Sequence, residues 1–250
     1  MNKVLSHTSE PVIVIRNLKK SFGENRVLDS FNLVVNKGEN VVVLGRSGSG
    51  KSVLIKCLVR LLIADEGEMK VFGISIPDLK HRELDDIRAK IGFLFQSSAL
   101  YDSMTVRENL EFPLRRHRRQ IKKEEVDQLV KTALDDVSLA HTENMMPFEL
   151  SGGMKKRIGI ARMLILKPEV MLYDEPTTGL DPITGREINN LMLDVQKKFN
   201  TSSIIISHDM NCVRRTANRV VILLNGKCYV EGTYDELKQS NDKNIKQFFD

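Results

Sequence analysis

One run, Gly45-Arg46-Ser47-Gly48-Ser49-Gly50-Lys51-Ser52, narrows what this chain can fold into more than any other feature of it. It stands between an apolar strand-sized stretch, residues 41–44, and a helical pattern. Val53, Leu54, Cys57, Leu58 and Leu61 share one face there, which predicts a helix from Gly50 to about Leu62. The run satisfies G-x-x-x-x-G-K-[ST], and a strand before it with a helix after it is the context in which such a loop grips phosphate. Its glycines allow a tight turn whose successive N–H groups converge on phosphate oxygens at a helix N-terminus. Lys51 then places a compact positive charge on the β- and γ-phosphates, and Ser52 offers its hydroxyl to Mg²⁺. By itself the loop says nucleoside triphosphate and no more.

A second apolar stretch, residues 170–173, ends in Asp174 and Glu175. A strand there delivers Asp174 to a sheet edge, where it can hold Mg²⁺, and Glu175 follows in position to orient or deprotonate an attacking water. Two acidic residues after a strand are weak evidence alone. Beside the phosphate loop they favour hydrolysis over mere binding.

The remaining pattern predicts an alternating α/β chain. Strands are expected at residues 12–15, 31–35, 69–72 and 91–95, with a polar helix near 80–90. Val126, Leu129, Val130, Ala133, Leu134 and Val137 fall on one helical face. Later come helices after Ser151, around 183–199 and from Asp209, and strands at 170–173, 203–207, 220–224 and 228–231. The reading is a RecA-like core with a mostly parallel sheet, an N-terminal antiparallel β lobe and an inserted α-helical lobe at about 98–165. It is one domain over residues 12–240, with 1–11 and 241–250 as terminal segments.

Composition sets bounds on function. No apolar stretch of this 250-residue sequence is long enough to cross a bilayer, and residues 1–11 lack a secretory core. Cys57, Cys212 and Cys228 are scattered, without metal-type spacing, and read as reduced thiols of a cytosolic protein. The formal charge of +5 invites a nucleic-acid partner, but much of it lies in Arg115, Arg116, Arg118, Arg119, Lys122 and Lys123, which read as a solvated helical face. With no Trp and 6% aromatics there is no obvious platform for stacking bases.

Leu150-Ser151-Gly152-Gly153-Met154 and the continuation through Arg162 resemble the signature of ATP-binding-cassette (ABC) ATPases. Physically, Ser151 can cap a helix that begins at the two glycines, an end rich in free N–H groups. The resemblance covers residues 12–237 and implies a head-to-tail dimer, in which Ser151, Gly152 and Gly153 of one copy cover the γ-phosphate held by the other. It also implies that Phe22 stacks on adenine, that Gln96 reaches Mg²⁺ and the water, that Asp181 lies in the loop crossing the dimer interface, and that His208 contacts the γ-phosphate. Taken singly, Phe22 reads as core, Gln96 as a loop residue and His208 as a helix cap.

Within that family, residues 95–110, 112–115, 179–184 and 245–249 resemble the ATPase subunit of Mla/Mce-type phospholipid transporters of double-membraned bacteria. That likeness implies ATP and Mg²⁺ as cofactors and an integral membrane permease with an Mce-type lipid-binding subunit as partners. It places the chain peripherally on the cytoplasmic face of the inner membrane, with no direct lipid contact and no nucleic acid. Met154 departs from the more usual Gln. The competing readings are the ATPase of another ABC importer or exporter, and a non-transport ABC ATPase acting on nucleic acid. A P-loop kinase or GTPase leaves residues 150–154 unexplained.

Overall fold

The computed structural model describes residues 10–118 and 120–249. The polar N-terminal segment up to Ser9, Arg119 of the basic run and Asp250 therefore lie outside the described residues. In chain order the strands are β1 (Pro11–Phe22), β2 (Asn25–Asn36), β3 (Asn40–Leu44), β4 (Glu66–Val71) and β5 (Ile74–Ser75). There follow β6 (Ile91–Leu94), β7 (Val170–Asp174), β8 (Ser202–Ser207), β9 (Arg219–Leu224) and β10 (Lys227–Gly232). The helices are α1 (Lys51–Leu58), α2 (His81–Ala89), α3 (Val106–His117), α4 (Lys123–Asp136) and α5 (Gly152–Leu164). After them come α6 (Pro182–Phe199), α7 (Met210–Thr216), α8 (Tyr234–Lys238) and α9 (Lys243–Lys246).

The strands form two sheets, ordered β2-β1-β4-β5 and β10-β9-β3-β8-β7-β6. The first is antiparallel. In the second, β9, β3, β8, β7 and β6 run parallel and only β10 pairs antiparallel. β3 shows why its sequence is uniformly apolar. Val42 and Leu44 enter a core shared with α3–α7, while Val41 and Val43 enter a second core shared with β1, β2, β4 and α1. A parallel strand covered on both faces has no solvent side on which to alternate. The predicted architecture of core sheet, antiparallel β lobe and helical lobe is the observed one.

Three elements differ most in length from the sequence reading: α1, β1, and β2, which runs from Asn25 rather than from Phe31. α1 ends at Leu58 rather than near Leu62, because Arg60 takes a left-handed backbone (φ 53°) and its guanidinium reaches Leu79 O at 2.6 Å. Leu61 consequently leaves the helical face and is 52% exposed. β1 runs well past residue 15, pairing with β2 as far as Phe22–Asn25. Register shifts around the left-handed Asn17 interrupt the alternation that would have revealed it.

The helical lobe packs as its periodicity dictates, with Val130, Ala133, Leu134 and Val137 buried against α3 and α5. Thr105 caps α3, and Glu108 returns a bond to the Thr105 N–H at 2.8 Å. Much of the basic run is neutralised locally. Arg115 pairs with Glu111 (2.5 Å), Arg116 with Asp85 (2.8 Å) and Arg118 with Glu125 (3.6 Å), which supports a solvated face over a phosphate-binding patch.

Candidate nucleotide site

Three adjacent strands of the core sheet, β3, β8 and β7, end on one side of the molecule, and their tips carry the phosphate loop, His208 and Asp174–Glu175. Ligands gather beyond the carboxyl ends of parallel strands in such sheets. The loop leaves β3 at Gly45 and passes into α1 through Gly50 at φ 100°. A Cβ there would lie 2.6 Å from Val27 Cγ1, so the β1–β2 hairpin closes down on the loop only because residue 50 is glycine.

Lys51 is buried and donates to Gly45 O (2.8 Å) and Arg46 O (3.0 Å), with Glu175 Oε1 at 3.9 Å. Burial pushes the Lys51 pKa down, and the Glu175 and Asp174 carboxylates oppose that shift. Ser52 Oγ donates to Asp174 Oδ1 at 2.7 Å. Burial raises the Asp174 pKa, while the Ser52 hydroxyl pulls the other way. Glu175 sits in the left-handed region (φ 50°), a strain of about 1–3 kcal/mol that surrounding contacts must hold. Its N–H donates to Ile206 O (3.0 Å), Thr178 Oγ1 donates to its Oε2 (3.2 Å), and His208 Nδ1 lies 2.8 Å from the same oxygen.

These residues fit a magnesium nucleotide. Ser49 Oγ, inside the loop, is buried without a hydrogen-bond partner, as an acceptor-rich phosphate would require. Ser52 and Asp174 bring two hard oxygens together, the sparse donor set typical of Mg²⁺ that arrives with phosphates rather than in an all-protein cage.

The structure thus brings Lys51, Ser52, Asp174, Glu175 and His208 into one cluster. His208 does not cap α7; Asp209 does, accepting from the Asn211 N–H at 2.9 Å. Phe22 is not core: it ends β1 at 48% exposure, with Lys20 Nζ 5.3 Å from its ring centroid. Gln96 lies exposed after β6, its carbonyl oxygen 2.5 Å from Lys156 Nζ.

Ser151 caps α5 as anticipated, its Oγ accepting from the Met154 N–H at 3.2 Å. Among the described residues no hydrogen bond or ion pair joins residues 151–153 to the chain's own phosphate loop. The glycines pack instead on Leu180 and Thr184. Asp181 caps α6, accepting from the Ile183 and Thr184 N–H groups at 2.9 and 3.0 Å, and the Thr184 hydroxyl and N–H hold its carboxyl below the usual carboxylate range. Two residues near the site escaped the sequence reading, Thr178 and Lys156. Lys156 carried a signal, since it falls on the buried face of α5 with Gly153, Ile160 and Leu164 at helical spacing.

Comparison with known proteins agrees with this geometry. The family model described as "ABC transporter" matches residues 28–178. The intermembrane phospholipid transport system ATP-binding protein MlaF of Haemophilus influenzae is 36% identical over 96% of this chain and 90% of its own length. The methionine import ATP-binding protein MetN of Campylobacter jejuni is 36% identical over 95% of this chain and 75% of its own. A solved dimeric ATP-binding cassette in a post-hydrolysis state, bound to ADP and Pi, superposes with a TM-score of 0.81 at 33% identity, covering 88% of this chain and 98% of that one.

Proposed function

We propose, since this chain belongs to the ABC transporter family and is an ATP-hydrolysing subunit of that kind, that it powers phospholipid transport between bacterial membranes. The observation that carries the ATP-hydrolysing part of this reading is the single cluster of Lys51, Ser52, Asp174, Glu175 and His208 at the ends of neighbouring strands. Residues 45–52 cradle the phosphates, and Lys51 turns from the loop carbonyls to the β- and γ-phosphates. Ser52, Asp174 and Gln96 would hold Mg²⁺, which would supply positive charge to the phosphate oxygens. Glu175 takes the proton of the attacking water, His208 steadies the γ-phosphate, and Phe22 supports adenine. Ser151, Gly152 and Gly153 complete the site of a second copy, and Asp181 lies where the copies cross. Loss of the γ-phosphate removes the charge both copies share, and the pair reopens.

A permease is the membrane partner, as the match to the ABC transporter family supports, and no helix among the described residues is long and apolar enough to cross a membrane. The exposed Tyr101, just after the Gln96 turn, and Phe112 of α3 meet as a tilted pair (ring centroids 4.9 Å apart) and support a docking face for that permease, which would put the chain on the cytoplasmic side of the inner membrane. Likeness at residues 95–110, 112–115, 179–184 and 245–249 and the near full-length match to a phospholipid-system ATPase favour lipid cargo and an Mce-type subunit. A methionine importer is the second reading, favoured by a relative of equal identity.

Glu175→Gln tests the hydrolytic assignment: ATP still binds, turnover falls by about 10³-fold or more, and a closed dimer accumulates on sizing columns. Wild-type turnover in that variant would remove Glu175 from the mechanism. The membrane protein and lipids that co-purify with the chain decide the cargo, and a permease with bound methionine would sink the lipid assignment.

A further inference from the structure

Lys156 is 4% exposed, and among the described residues it makes no ion pair. Its Nζ instead donates to two backbone carbonyls, Gln96 O at 2.5 Å and Glu175 O at 3.3 Å. Six residues further along α5, Arg162 donates to Ser98 O (2.8 Å) and Ala99 O (2.7 Å). Between them Gly159 lets the helix approach: a Cβ there would meet Leu94 Cδ1 at 2.6 Å and Ser98 Cβ at 3.4 Å. The turn so gripped needs holding, because Ser98 and Ala99 are successive non-glycine residues with left-handed backbones (φ 63° and 47°). Such conformations persist where the surroundings over-determine them.

We infer that Lys156 is a positioning residue that ties the Gln96 turn and the Glu175 backbone to the signature helix, so that the metal side and the water side of the ATP site move as one body with α5. This rests on the roles given above to Gln96 and Glu175. The chemistry of the contact supports function over stability. A buried ammonium with no carboxylate in ion-pair reach among the described residues is costly to desolvate, so its retention points to what it positions rather than to a gain in stability. Because α5 begins at Ser151, which the proposed dimer sets against the partner's nucleotide, Lys156 also links one copy's ATP site to the other's.

Lys156→Met and Lys156→Arg in the full-length chain, assayed across ATP concentration with thermal unfolding in parallel, test the inference. K156M is expected to lose about tenfold or more in kcat, as small misplacements of catalytic groups do, with KM within about twofold and with a loss far larger than any modest fall in Tm accounts for. K156R, which keeps donors and charge, is expected to recover most of kcat. Wild-type kcat in K156M, a loss of kcat that tracks a loss of Tm, or no rescue by arginine would overturn it. Should K156M prove insoluble, Arg162→Lys must show the same loss confined to kcat. Glu175→Gln serves as the control: full turnover in that variant defeats the reading of the ATP site itself, whatever Lys156 does.

Discussion

Replacing Gly159 by alanine sets two opposed energies against each other, and the structure says which prevails. Within α5 the change should gain about 0.5–1 kcal/mol, because glycine is a poor residue for a helix interior. Against it, the new methyl would lie 2.6 Å from Leu94 Cδ1, roughly 1 Å inside a normal carbon–carbon contact. Leu94 is almost fully buried in the core beneath the helical lobe, so it has little space into which to retreat. Overpacking of this kind costs about 1–3 kcal/mol. Central values leave a net loss of about 1 kcal/mol, which for a chain of this length lowers the melting temperature by about 2–4 °C. Differential scanning calorimetry of wild type and Gly159→Ala measures it directly. An unchanged or raised Tm would mean that helix propensity won, and that α5 does not approach β6 as closely as described.

Two further outcomes follow from buried groups elsewhere. Asn109, fully buried, accepts from the Tyr101 N–H at 2.8 Å and donates to Tyr101 O, Met104 O and Thr105 O. Asn109→Ala leaves that loop's polar groups unpaired and should cost about 2–4 kcal/mol in urea unfolding; a loss below about 1 kcal/mol would show that water replaces the amide. Burial pushes the thiols of Cys57 and Cys228 up to about 11 and of Cys212 up to about 12. Raised thiol pKa values leave about 10⁻³ thiolate or less at pH 8, so alkylation by iodoacetamide should run at least about 100-fold slower than in urea, rising as pH increases. A native cysteine labelled at the unfolded rate would contradict its burial.

Much of the site was legible because its chemistry is local in sequence. The phosphate loop announces itself through glycine spacing beside Lys51 and Ser52, and Ser151 through its place before two glycines and a helical pattern. Elements set by distant contacts were not legible. The end of α1 depends on Arg60 reaching Leu79 O, and the length of β1 depends on pairing across a break at Asn17. The grip of Lys156 and Arg162 on residues 96–99 joins side chains to backbone carbonyls about sixty residues away, and a carbonyl leaves no mark in the amino-acid code. Phe22 misled in the opposite direction, since an aromatic at a strand end reads as core until the sheet edge is known.

Lys51 and Lys156 are the buried cations beside two buried anions, Asp174 and Glu175, so the pocket's own formal charges cancel. A magnesium nucleotide, itself net negative, would therefore overdraw the positive charge one polypeptide supplies. The amide-rich start of α5 in a neighbouring subunit can make up that deficit. In a dimeric assembly nucleotide affinity and self-association are then thermodynamically linked, each strengthening the other by the same factor. Where two copies share the nucleotide as proposed, the dissociation constant for ATP becomes a function of how much of the chain is present, tightening as subunits crowd together and slackening on dilution.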